Sequence, residues 1–377
     1  MPEPSHVAIG TWSGGRYMHF GEPLDDDRYE ALLRPGPDIP TVITADVYGE
    51  GASDEALGRA LADVARDEVT IVGAIGHDFY DGERQGAKGF PRFTDPALRG
   101  PDQYASYLRH ATERSLDRVG IDRFDVLLLH NPDRTGYTSP AVWAGMAALR
   151  DAGLTDRVGI APGPANGFTL DVITAFERFG DLIDWAMLIL NPMEPWPGEL
   201  ALDAAARHDI SVIARVVDYG GIFWDDVTSR EQLARYDHRK FRPEGWIAAG
   251  REKLERMRPA ADQHGLTMIQ LAAQWDLAHD AVRCTVPTLI QESGPEARPV
   301  EDKRAELAAT PAEVRLSAED VAALRAIGDN FGSMALKGGV PDHEGPALAD
   351  RWAVDDDLRA VAERWGITPE RELQMTA

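Results

Sequence analysis

The residues best suited to chemistry stand at the ends of apolar runs. Tyr48 closes the stretch Thr41-Val-Ile-Thr-Ala-Asp-Val-Tyr-Gly49, His130 follows Phe124-Asp-Val-Leu-Leu-Leu129, and Arg215 lies near the end of Ile210–Val217. A phenol and an imidazole can pass a proton, and a guanidinium can hold negative charge on an oxygen. In a parallel α/β architecture the carboxyl ends of the strands are where chemistry is placed. Taken singly, each has a structural reading: a tyrosine at a strand end often caps it, and a histidine after an apolar strand is often a satisfied core group. Asp46, His77 and Asp218 also stand near strand ends. With His130 they show no metal-ligand spacing, and there is neither a His-Glu-x-x-His helix nor a cysteine cluster, so no metal is expected. Arg215 and Asp218 read equally well as a structural ion pair. His77, Asp78 and Tyr80 either enter the mouth of the fold or are solvated.

The elements that would position these groups alternate along the chain. Strands are expected near 6–15, 41–46, 69–75, 124–129, 158–161, 185–190, 210–217 and 282–287, with helices between them. Ser53 reads as the N-cap of a helix over 53–65, with Asp54 and Glu55 in the favourable first turn. Ser317-x-x-Asp320 is a capping box for the last barrel helix. The strand at 124–129 is almost continuously apolar, as in a parallel sheet covered on both faces. Eight strands alternating with helices predict an α/β fold, a (β/α)8 TIM barrel spanning 1–330. Two polar loops, 77–100 and 222–245, are long enough to lie over its C-terminal mouth. A C-terminal extension, 331–377, is expected to pack on the barrel, with a helix at 355–365 lying across it. The alternative, an open doubly wound sheet, would want Gly-x-Gly-x-x-Gly after the first strand. Gly10, Gly14 and Gly15 lack that spacing.

Composition narrows the function. Of 377 residues, 63 are acidic and 39 are Lys or Arg, a net charge of −24. Such a surface repels nucleic acid and anionic membrane, so neither is an expected partner. The single cysteine, Cys284, lies in an apolar run and reads as a buried structural thiol. With no signal-like N-terminus and no apolar run of membrane-spanning length, a cytoplasmic location is expected.

The run Thr44-Ala-Asp-Val-Tyr-Gly49 with its following helix resembles the active-site strand of the aldo-keto reductases. Ile121-Asp-Arg-Phe-Asp-Val-Leu-Leu-Leu-His-Asn-Pro-Asp133, Arg157-Val-Gly-Ile160 and Ser317-Ala-Glu-Asp-Val-Ala-Ala-Leu324 are similar to further motifs of that family. The resemblance implies a catalytic Tyr at Tyr48 and the family's His at His130. It also implies an Asp where this chain has Ile43 and a Lys where it has Ala74. In the family, the lysine lowers the pKa of the phenol and the Asp holds the lysine. Their joint loss is self-consistent, since one alone would be a buried unpaired charge. The family's clamp on a nicotinamide amide falls on Ala161, Pro162 and Asn191, and the Tyr that stacks on the ring falls on Arg215. Arg298, Lys303 and Arg304 are the candidate grip for a 2′-phosphate, or simply a solvated helix start.

The leading expectation is therefore an aldo-keto-reductase-like enzyme that has no cofactor and acts on a small carbonyl or keto-sugar substrate. Its chemistry would be proton transfer: elimination, epimerisation or enolisation, with Tyr48, His130 and Arg215 as catalytic groups. Trp12, His77, Asn131, Asn191, Asp218 and Trp224 would line the substrate site. The alternatives are an NADP(H)-dependent oxidoreductase with a rearranged set of catalytic groups, and a non-catalytic binding protein on the same barrel.

Overall fold

The computed structural model describes residues 3–85, 89–163, 168–242, 244–331 and 354–373. The strands are β1 (Ala8–Gly10), β2 (Thr41–Ile43), β3 (Thr70–Ile75), β4 (Phe124–His130), β5 (Thr155–Ala161), β6 (Ile183–Ile189), β7 (Ser211–Arg215) and β8 (Val282–Val286). Each runs parallel to the next, in chain order. A parallel bridge between Val7 and Thr285 brings β8 back to β1. This is the expected (β/α)8 barrel. Side chains alternate along each strand, so one set points outward to the helices and the other fills the barrel. Val42, Ile71, Ile75, Leu127, Leu129 and Ile160 join the outer core. Ala8, Ile43, Val72, Ala74, Val126, Leu128, Met187, Ile213, Cys284 and Val286 form a separate inner cluster, with Tyr48 packed on its upper edge. Cys284 is fully buried, and burial pushes its thiol pKa up, so it is the structural thiol expected.

The helices are α1 (Asp26–Leu33), α2 (Ala52–Ala60), α3 (Tyr104–Val119), α4 (Arg134–Thr138), α5 (Pro140–Asp151), α6 (Phe168–Phe179), α7 (Leu202–Arg207), α8 (Trp246–His264), α9 (Met268–Leu277), α10 (Val300–Ala308), α11 (Ala318–Gly328) and α12 (Asp356–Arg364). Ser53 is not a cap. Gly51, at φ 99°, takes the N-cap position of α2. That starts the helix early and turns Ser53 and Asp54 inward. Ser53 donates to the Ala45 carbonyl at 3.2 Å. Asp54 accepts from Thr44 and Ser115, both at 2.7 Å. These bonds tie α2 and α3 to the chain just below Tyr48. The capping box of Ser317 and Asp320 is present as expected.

Two expectations about the loops fail. The described part of 77–100 packs outward on α3 rather than over the mouth. Phe93 stacks on Tyr107 with ring centroids 5.1 Å apart, and Arg99 lies 4.2 Å over the same ring while pairing with Asp78 at 2.5 Å. Aromatic area is better buried against a helix than held over water. The helix of the extension, α12, runs along α6 rather than across the barrel. It buries Leu358, Val361 and Ala362, and Arg364 pairs with Glu177 of α6 at 2.5 Å. Residues 332–353 of the extension lie outside the described residues.

Buried ion pairs staple the loops that follow β1, β7 and β8. Arg239 pairs with Asp237 at 2.6 Å and with Glu292 at 2.5 Å, all three enclosed. Asp237 also accepts from the Gly21 amide at 2.7 Å. Lys303 pairs with Asp226 at 2.6 Å. Burial pushes the Asp237 carboxyl up, but Arg239 outweighs it and holds the group below its usual range. Its contribution to stability is therefore complete above about pH 4 and is lost as pH falls through the depressed value. Arg239→Met would leave two buried carboxylates without their cation. The expected cost is about 3–5 kcal/mol at neutral pH, read as a lower urea midpoint. A change below 1 kcal/mol would mean that the triad does not hold these loops.

Candidate active site

A cavity of about 120 Å³ opens at the carboxyl ends of the strands. Tyr48, His130, Asn131, Ala161, Met187 and Arg215 line it from β2, β4, β5, β6 and β7 and the turns after them. Trp12, Met18 and Phe20 close it from the loop after β1. Val216, Asp218, Gly220 and Arg242 come from the loop after β7, and Thr288 and Ile290 from the loop after β8. The three residues expected to be catalytic therefore share one cavity. The Tyr48 and His130 rings meet edge to face at 5.8 Å between centroids, and Trp12 lies 6.4 Å from Tyr48.

The other expected site residues divide. Trp12 and Asn131 line the cavity as expected. His77 stands behind the wall, its ring 5.0 Å from that of His130. Its Nδ1 lies 3.3 Å from both the Phe90 carbonyl and the Arg92 guanidinium, and its Nε2 lies 3.2 Å from the Asn131 amide nitrogen. His77 thus orients Asn131 rather than a substrate. Asn191 is spent on the backbone: it donates to the Val216 carbonyl at 3.0 Å and accepts from the Met193 amide at 2.9 Å. Asp218 lines the cavity, but its carboxylate accepts from the Thr288 and Gly221 amides at 2.7 and 2.8 Å. Arg215 instead donates to the Pro162 carbonyl at 2.9 Å, so the two form no ion pair. Trp224 is a core residue, fully buried and donating to the Thr288 carbonyl at 2.8 Å. An indole that reaches a carbonyl is better buried than left in a loop. The sequence reading missed Arg242, Met18, Phe20 and Val216. Only the length of the loops that carry Arg242 and Phe20 hinted at them. Val216 and Asn131 hold positive φ, 64° and 44°, beside the cavity. Such strain gathers at functional sites, and for Val216 the Asn191 bond helps to pay for it.

The electrostatics follow from enclosure. Burial pushes the Tyr48 phenol up to about 12, and the Arg215 cation pulls the other way. Burial, with help from the neighbouring His77 and Arg215, holds His130 well below the usual imidazole range. His77 is pushed down to about 3, mainly by burial and then by Arg92. Burial also lowers the pKa of Arg215. The site at neutral pH is therefore a protonated phenol, a neutral imidazole and a guanidinium. No lysine joins them among the described residues: Lys240 and Lys253 bond to backbone carbonyls, and Lys303 to the Ile290 carbonyl and Asp226.

The place of a nicotinamide dinucleotide can be tested on the same contacts. Ala161 and Pro162 offer no side-chain partner for an amide, and Asn191 is already committed. Arg298 bonds to Glu306 and the Trp224 carbonyl, Lys303 is enclosed with Asp226, and Arg304 bonds to the Leu32 and Arg34 carbonyls. A fixed cation at Arg215 opposes an oxidised nicotinamide ring. The groups present do not fit a dinucleotide held in the manner the resemblance implied.

An eight-stranded parallel barrel with a tyrosine and a histidine facing one cavity at its C-terminal mouth defines a class of α/β-barrel enzymes. The model of the aldo/keto reductase family matches residues 7–329, and the chain belongs to that family. It is 25% identical over 303 residues to a D-threo-aldose 1-dehydrogenase of a Pseudomonas species, covering 75% of this chain and 88% of that protein. The fold is similar to that of a glycerol dehydrogenase of Gluconobacter oxydans, with a TM-score of 0.64 and 20% identity over 91% of this chain and 95% of the other. It is also similar to an aldo/keto reductase of Klebsiella pneumoniae solved with NADP and acetate, with a TM-score of 0.57 and 19% identity over 85% and 90% of the two chains. No helix among the described residues is long and apolar enough to cross a membrane.

Because His130 and His77 resist protonation, their ring resonances should stay in the neutral form from pH 8 down to pH 5 in a ¹⁵N–¹H spectrum. Below about pH 6.5 the unfolded chain binds protons that the folded one refuses, so stability should fall with acidification in that window. A His130 ring that titrates near 6.5 would contradict its enclosure.

Proposed function

We propose that this protein is an enzyme acting at a carbonyl carbon, or at the corresponding alcohol, of a small sugar-type molecule. The observation that carries the proposal is the convergence of Tyr48, His130 and Arg215 on one cavity. Tyr48 exchanges a proton with the substrate oxygen. Neutral His130 beside it fixes that oxygen, and Arg215 supplies the positive field that a lysine would otherwise give. A phenol with a pKa of about 12 is a weak acid, so the reaction leans on Arg215 to hold the negative charge that its proton leaves behind.

Kinship supports oxidoreduction as the reaction, and that reading stands first. A relative is an aldose dehydrogenase, and a protein of the same fold was solved with NADP. Elimination, epimerisation and enolisation have no such support. The second reading, proton transfer without hydride, is favoured by one specific observation. Ile43 and Ala74 are sealed in the inner apolar cluster, and Ala161 and Pro162 offer a nicotinamide no clamp.

Fluorescence titration with NADPH, run beside a solvent-deuterium exchange assay on aldoses and keto-sugars, separates the two. Saturable NADPH binding with NADP-dependent turnover of an aldose or polyol supports oxidoreduction. No binding, with deuterium entering the carbon next to the carbonyl, supports the second reading. In either case Tyr48→Phe should lower the rate by about 100-fold or more. An unchanged rate would overturn both readings.

A further inference from the structure

We infer that the substrate carries a carboxylate, and that Arg215 and Arg242 receive it. The inference deepens the reading of the cavity as a carbonyl site and rests on it. Both guanidinium groups line the same cavity, Arg215 from the end of β7 and Arg242 from the loop that follows. Among the described residues, neither has a carboxylate within ion-pair distance. Arg215 spends one nitrogen on the Pro162 carbonyl, and its Nε is buried without a partner. The Arg242 Cζ sits 4.3 Å from the centre of the Trp246 ring and 5.2 Å from that of Tyr219, with one long bond of 3.4 Å to the Tyr219 carbonyl. A guanidinium held against an aromatic face keeps N–H groups free to donate.

The contrast with the other enclosed bases is sharp. Arg239 has two carboxylates, Lys303 has Asp226, Arg99 has Asp78, and Arg118 has Asp54. This chain carries 63 acidic residues, so acids were not in short supply. Of the acids nearest the cavity, Asp218 accepts from two backbone amides and Glu194 acts on both arginines through space, and neither lies within ion-pair distance of them among the described residues. Burying a cation without a partner is costly, and an arriving oxyanion offsets that cost. A planar fork matches a carboxylate in two parallel hydrogen bonds. With Tyr48 and His130 at the other wall, the substrate class is a sugar acid that has its reacting carbonyl or hydroxyl a few carbons from the acid. A sugar phosphate brings the same charge on a tetrahedral group.

Calorimetric titration at fixed ionic strength tests this, with glucuronate, gluconate, glucose and glucose 6-phosphate as probes. Wild type should bind at least one of the two sugar acids about tenfold or more tighter than glucose, the gain of a single charge-assisted pair. Arg242→Met and Arg215→Met should each remove most of that preference, lowering affinity for the sugar acid about tenfold or more and by more than they lower affinity for glucose. If either fails to fold, Arg242→Gln, which removes the charge but keeps a polar group, takes its place, with the urea midpoint confirming the fold. Tyr48→Phe should keep the preference while losing turnover. Loss of turnover with the preference intact therefore bears on the chemistry, and loss of the preference alone bears on this inference. Equal binding of acid and neutral sugars, or a preference that survives the arginine replacements, overturns it. Tighter binding of glucose 6-phosphate than of either sugar acid overturns the carboxylate assignment.

Discussion

The structure turns on the enclosure of a guanidinium beside a phenol. Arg215 stands at the end of β7, at the rim of an apolar barrel interior, and among the described residues its side chain makes one hydrogen bond, to the Pro162 carbonyl. Charge in such surroundings is expensive unless something answers it. The neighbouring backbone is held for the purpose: Asn191 bonds the carbonyl of Val216, whose φ of 64° is strained for a β-branched residue. Tyr48 feels two opposing effects, burial that favours the neutral phenol and Arg215 that favours the phenolate. The resemblance implies an aspartate at Ile43 and a lysine at Ala74 to set that balance; both residues belong to the apolar packing.

The same accounting explains the upper loops. The buried bases beyond β7 and β8 are tied to buried acids, Arg239 to Asp237 and Glu292, and Lys303 to Asp226. Such pairs fix loop geometry more surely than they add stability, because desolvation offsets most of their attraction. Lys303, one of the three residues read as a grip for a phosphate, is among them. What remains uncommitted at the mouth is Arg215 with Arg242, and both face the cavity rather than a groove beyond it.

Much of the barrel was legible in the sequence because buried parallel strands are continuous apolar runs, and eight of them alternate with helices. Tyr48 and His130 were legible because they follow such runs directly. Several features were not. Helix α10 begins among charged residues with no apolar periodicity to announce it, so it was legible only as one of two readings of Arg298, Lys303 and Arg304. Arg242 reaches the cavity through a fold of the loop after β7 that is set by ion pairs distant in sequence. Trp224 read as part of the substrate site and the loop 77–100 as a cover for the mouth, yet Trp224 turns to the loop after β8 and the aromatics of 77–100 to α3. A sequence shows that an aromatic is present, but it does not show which way the ring turns. Asn191 and His77, read as substrate-binding, do not line the cavity but stand one step back from it, against Val216 and Asn131.

Among the described residues no lysine reaches Tyr48, so the phenol stays protonated in its enclosed site. The most direct measurement is the chemical shift of ¹³Cζ-labelled tyrosine across pH 7 to 10.5, with the Tyr48 resonance assigned by its loss in a Tyr48→Phe variant. The account predicts a resonance that stays at the protonated position through pH 10, in keeping with a pKa of about 12. Ionisation of Tyr48 at or below pH 9 would mean that a second cation reaches the phenol, and would contradict it.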